Sequence, residues 1–273
     1  MRRIGHRERP GGLLPAHVGD NGGEGRRLRE GDRAARRESG ALQGSGDDWD
    51  IAASLFSLAN VLVVREEHER ARELYREALG LSRELGDPDQ YATGLANLGC
   101  EYLLDGDHEQ ATALNEEAAK LYRDRGSRGG LVYALDNLAW AALVRGDHER
   151  ARALHEETLA LCQELGDKLI GGECLEGLAC AAAARGEAER SARLFGAARA
   201  LGYEQPPAEH ALREPFLAVA RSRLEEVAWQ AAWAEGQALT FEEAVSYALE
   251  EEADSGTPDN GASEDVASER WRK

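Results

Sequence analysis

Asn97 and Asn137 stand one 40-residue step apart, each one residue ahead of a leucine; Ser57 and Gly177 hold the corresponding places before and after them. A carboxamide both donates and accepts hydrogen bonds, so a row of amides can hold an extended peptide backbone without reading its side chains. Thr93, Glu101 and Tyr133 fall one helical turn from that row and would share its wall. Ser57, Thr93, Asn97, Glu101, Tyr133 and Asn137 are therefore the candidate peptide-binding set. The competing use of the same amides is to bond neighbouring helices to one another.

Other residue types invite chemistry and lack its spacing. His68, His108 and His148 recur every 40 residues. Equivalent positions of adjacent helix pairs lie on the order of 10 Å apart, whereas metal coordination needs nitrogens about 2 Å from one ion. A place in the first turn of a helix is the expectation for these three. The acid pairs Glu66/Glu67, Glu116/Glu117 and Glu156/Glu157 are expected on the outer face of second helices. Acid–base catalysis needs an enclosed site that separates two carboxyl pKa values. No nucleophile motif accompanies Ser, His or Cys. Cys100, Cys162, Cys174 and Cys180 form no CxxC pair, so neither a zinc site nor a disulfide framework is expected. The reading is no enzyme, no metal and no cofactor.

The formal charge of the 273-residue chain is −18. Residues 1–46 hold ten Arg against six acids, so the acidity belongs to the remainder. An acidic body repels nucleic acid and anionic lipid and favours basic or polar partners. No apolar run reaches membrane-spanning length, and the Arg-rich start lacks the apolar centre of a signal peptide. A cytoplasmic protein without nucleic-acid or membrane contacts of its own is expected.

The elements that must position these residues come from self-similarity at a fixed period. Leu58, Leu98, Leu138 and Leu178 recur every 40 residues, as do Leu74, Leu114, Leu154 and Leu194, and Gly86, Gly126 and Gly166. Within one period, Tyr91, Leu95, Leu98 and Tyr102 form one helical stripe and Ala111, Leu114, Ala118 and Leu121 a second. Gly106 suits the left-handed residue that ends a helix, and Asp107 caps the next. Trp140 stands where Asn60, Cys100 and Cys180 are its equivalents and is expected to fill a gap between units.

Leu98, Gly99, Tyr102, Ala111 and Ala118 sit at the offsets of the tetratricopeptide motif, as do Leu138, Ala139, Ala142, Ala151 and Thr158 in the next period. The chain resembles that family over about residues 47–201. Its 40-residue unit is longer than the family's usual 34 and lacks the closing proline. The resemblance implies an all-α fold, a right-handed solenoid of about four hairpins (47–86, 87–126, 127–166, 167–202) whose first helices line a concave face, followed by a C-terminal helical cap over 203–252. Residues 1–46 read as disordered or as a degraded repeat, and 253–273 as a disordered acidic tail.

Leu194-Phe195-Gly196-Ala197-Ala198, Pro206-Pro207, Ala232-Trp233-Ala234-Glu235-Gly236 and Phe241-Glu242-Glu243-Ala244-Val245 carry a second resemblance. They look like the C-terminal end of LuxR-type bacterial regulators, in which a STAND-type ATPase core precedes a tetratricopeptide sensor. No GxxxxGK[ST] phosphate loop occurs in this sequence. The resemblance thus implies the sensor portion alone: a scaffold for a protein or peptide, with a small-effector sensor or a truncated fragment as the alternatives.

Overall fold

The structure, a computed structural model, describes residues 48–202 and 207–250, with backbone alone for 207–211. The readings for 1–46, for the loop at 203–206 and for the tail at 253–273 lie outside the described residues. Among those described the chain is all-α, an α-solenoid of helical hairpins. The first helices of successive hairpins are α1 (Asp48–Val64), α3 (Pro88–Asp105), α5 (Arg128–Val144) and α7 (Lys168–Arg185). Their partners are α2 (His68–Leu85), α4 (His108–Arg125), α6 (His148–Leu165) and α8 (Ala188–Ala200). Three more helices follow: α9 (Pro207–Ser222), α10 (Glu226–Gln237) and α11 (Phe241–Leu249).

The helices end on a strict beat. Gly86, Gly106, Gly126, Gly146, Gly166 and Gly186 all have positive φ, between 65° and 90°. Glycine enters this left-handed region without a β-carbon penalty. At each end the amide after the glycine donates to the carbonyl five residues back, as Asp107 does to Tyr102 and Asp147 to Ala142. That bond satisfies a carbonyl the helix would otherwise leave open. The first hairpin departs from the rule, because Glu66 takes the left-handed place with φ of 60°. Asp107, Asp147 and Asp167 cap the helices that follow them, accepting from Gln110, Arg150 and both Leu169 and Ile170. Each such cap is worth about 1 kcal/mol.

The described residues fall into two compact units divided between Asn97 and Leu98. In the first, α1 packs on α2. Ala52, Leu55, Phe56, Ala59 and Leu62 make its buried stripe, at the three- and four-residue spacing that one helix face requires. The N-terminal half of α3 fits here through Gly94, where a β-carbon would strike Phe56 and Leu79. Trp49 donates from its indole to Asp87 at 2.9 Å.

In the second unit each helix from α4 to α8 packs on the next, and α5 also touches α7. α6 shows how partners shape sequence: Ala151, His155, Thr158, Leu159 and Cys162 are buried while the opposite face is charged. α7 is covered on more sides, by α5, α6, α8 and α9. Small residues accordingly make up much of its buried surface, with Gly171, Gly172, Cys174, Gly177, Ala179, Cys180, Ala181, Ala182 and Ala183 buried. Small side chains let helices approach and keep the interior at crystal-like density. The nearest approach is between α8 and α10. A β-carbon on Gly196 would strike the Trp233 carbonyl, and one on Gly236 the Arg193 carbonyl.

Pro207 opens α9. At the first helical position the missing N–H has no partner to lose. α9 rests on α7 and α8, with Leu212, Phe216 and Ala220 in the core. Thr240 and Glu243 form a reciprocal capping box at the start of α11.

Candidate functional site

The six candidate binding residues divide between the two units. In the first, the Ser57 hydroxyl donates to the Ala53 carbonyl at 3.0 Å and that of Thr93 to the Asp89 carbonyl at 2.9 Å. A hydroxyl that donates in this way can also accept. Asn97 is buried, and its Nδ2 has no hydrogen-bond partner.

In the second unit Glu101 is buried and Tyr133 and Asn137 are half-buried. Asn137 donates through Nδ2 to the Asn115 carboxamide oxygen at 3.1 Å. Asn115 in turn donates to the Ala111 carbonyl at 2.8 Å. This amide chain ties α5 to α4. Tyr133 sits among acids. Burial, then the charges of Asp167 and Glu173, then Cys162 and Asp136, push its phenol well above the usual range. The hydroxyl therefore remains a donor at any physiological pH.

The first helices of this unit also carry Asp136, Glu173 and Glu176, all buried. Glu176 is ion-paired with Arg213 of α9. A buried carboxylate needs such a partner, because its desolvation is costly.

His68, His108 and His148 each begin a second helix. His148 meets the Phe216 ring edge-on at 6.3 Å. Glu66 and Glu67 lie in the turn before α2, with Glu67 at the cap position, not on the outer face of a second helix. Glu117 and Glu157 are exposed on α4 and α6, and Glu116 is ion-paired with Arg150 at 2.8 Å.

One polar cluster escaped the sequence reading. Asp136 of α5, His155 of α6 and Cys174 of α7 are all buried and offer one oxygen, one nitrogen and one sulfur within 4.8 Å of one another. Asp136 Oδ1 lies 3.3 Å from His155 Nδ1 and 3.7 Å from the Cys174 sulfur. Cys162 hydrogen-bonds with Cys174, and burial pushes the Cys174 thiol well above the usual range. Trp140 is buried and stands edge-on to the His155 ring at 5.6 Å, filling the gap expected of it. The spacing signal for zinc looks for ligands close in sequence. These three are 19 residues apart in turn. The signal that finds them is positional: each lies near the middle of its helix, and antiparallel helices of equal length meet at their midpoints.

A recess in this unit, lined in part by Arg152, Leu178, Arg185 and Arg190, has a volume of about 30 Å³. That accommodates a water molecule, against about 300 Å³ or more for a small-molecule site.

Residues 50–124 match a family model described as Tetratricopeptide repeat, and residues 131–165 match a second of the same description. The chain carries tetratricopeptide repeats. Such repeats typically mediate binding to proteins or peptides, and no enzyme family is indicated. No curated protein matches the chain. Among solved structures, this chain is similar to the crystal structure of BtubC (BKLC) from P. vanneervenii, with TM-score 0.57 and 20% identity over 77% of this chain and 89% of that one. At that identity the likeness speaks for the fold alone. No described helix is long and apolar enough to cross a membrane.

Proposed function

We propose that this chain is a protein- or peptide-binding scaffold and the sensor or interaction part of a bacterial regulatory protein working in the cytoplasm. Ser57, Thr93 and Asn97 form its contact surface in the first unit; Glu101, Tyr133 and Asn137 form it in the second. The solenoid is assigned to 47–202 and the cap to 203–252. The partner is a polypeptide, not nucleic acid or membrane.

The observation that carries this reading is the half-buried Tyr133 of α5, set in the field of the acids Asp167, Glu173 and Asp136. It offers a donor to a peptide carbonyl, and the surrounding acids favour basic side chains on the same ligand. The chain's net charge of −18 acts in the same direction and hastens encounter with a basic segment.

The test is selection of the full chain against a random peptide library, with affinities of the selected peptides measured by fluorescence polarisation. Selected peptides are expected to be enriched in Lys and Arg. Tyr133→Ala is expected to weaken them about tenfold or more, and Lys120→Ala on the exposed face of α4 to leave them unchanged. Equal binding by Tyr133→Ala and the parent chain overturns the assignment.

A further inference from the structure

We propose that Asp136, His155 and Cys174 form a binding site for one divalent transition-metal ion, with zinc as the natural occupant. The donor set is a carboxylate oxygen, an imidazole nitrogen and a thiolate sulfur, which suits a borderline-soft ion. Bond lengths of about 2.0–2.3 Å around a tetrahedral ion place donor atoms about 3.3–3.8 Å from each other. The Asp136 oxygen is 3.3 Å from His155 Nδ1 and 3.7 Å from the Cys174 sulfur, so two of the three edges already have that length. The fourth position falls to solvent or to Cys162, whose thiol is hydrogen-bonded with that of Cys174.

Burial and charge support the assignment independently of the distances. His155 and Cys174 are fully buried and Asp136 is 6% exposed. The Asp136 carboxylate has His155 as its sole ion-pair partner among the described residues. Neither ring nitrogen of His155 makes a hydrogen bond. A buried ring whose nitrogens make no hydrogen bond and a buried carboxylate with no lysine or arginine are each costly. A dication relieves both. On binding, Cys174 releases its proton to solvent, and the carboxylate and thiolate together neutralise the ion. The three ligands come from three successive helices, so the ion would pin α5, α6 and α7 at mid-height. Binding is coupled to folding, since the pocket is closed in the packed state.

The experiment uses the reduced, chelator-treated full chain titrated with cobalt(II) alone. One equivalent is expected to produce a thiolate-to-cobalt charge-transfer band and intense tetrahedral d–d bands, both displaced by zinc. Cys174→Ser is expected to abolish the charge-transfer band, Asp136→Asn to weaken binding about tenfold or more, and Cys180→Ser, at a buried thiol elsewhere on α7, to change neither. Should Cys174→Ser fail to fold by circular dichroism, alkylation of the parent chain decides. Zinc should slow alkylation of Cys174 by more than that of Cys180, which lies on the same helix away from the ion. Absence of the charge-transfer band from the parent chain, its survival in a folded Cys174→Ser, or equal alkylation of Cys174 with and without zinc overturns the site.

Discussion

The imidazole of His155 fills the volume that a β-carbon on residue 177 would need. His155 is fully buried and flanked by the Trp140 ring, so it has nowhere to retreat. Gly177→Ala is expected to destabilise the second unit by about 1–3 kcal/mol, the usual range for overpacking. His155→Ala should recover part of that loss in the Gly177→Ala background. Urea midpoints of the four proteins in the cycle check both statements.

The crossing of α8 and α10 is less forgiving, because backbone meets backbone. Gly236→Ala places a methyl group against the Arg193 carbonyl, which cannot rotate away as a side chain can. A loss of about 3 kcal/mol or local detachment of α10 is expected. Trp229 and Trp233, whose rings lie 6.0 Å apart, report the detachment by a red-shifted fluorescence maximum.

Glu66 is the exception to the glycine beat, a β-carbon-bearing residue at φ of 60°. The left-handed region costs such a residue about 1–2 kcal/mol. Glu66→Gly is expected to stabilise the first hairpin by up to about 1 kcal/mol, the entropy of the unfolded chain offsetting the rest. A rise in thermal midpoint checks it.

The four thiols should separate by reactivity. Cys162, Cys174 and Cys180 are fully buried and Cys100 is half-buried. Burial, together with Glu176, pushes the Cys180 thiol well above its usual range, and the thiolate is the reacting form. Under native conditions near neutral pH one thiol per chain is expected to react quickly, at Cys100. The others should react only at the rate of opening, which mass spectrometry of the alkylated peptides resolves.

His108 gives the chain a pH dependence of known sign. Burial and then Arg145 hold its imidazole below the ordinary histidine value of about 6.5, against the pull of Asp107. The folded state therefore binds fewer protons than the unfolded one. The stability due to this group is full above about pH 6.5 and is lost as pH falls through the lower, folded value. His108→Gln should flatten the change in urea midpoint between about pH 8 and about pH 5.5.

The sequence by itself determined the helices and their ends. Apolar stripes at three- and four-residue spacing and the glycines that recur every 20 residues from Gly86 to Gly186 are local signals, and the helix boundaries obey them. Gly99 was legible as a small residue at a motif offset, and a β-carbon there would strike Asn115. Partnerships across helices were not legible. Which group Asn137 donates to, the Asn115 carboxamide oxygen, depends on side-chain rotamers that packing selects. Asp136, His155 and Cys174 looked unrelated at 19-residue spacing. Only the stacking of α5, α6 and α7 brings their midpoints to one level. Periodicity is a property of one helix, whereas a site made from three helices exists only once their axes are fixed against one another.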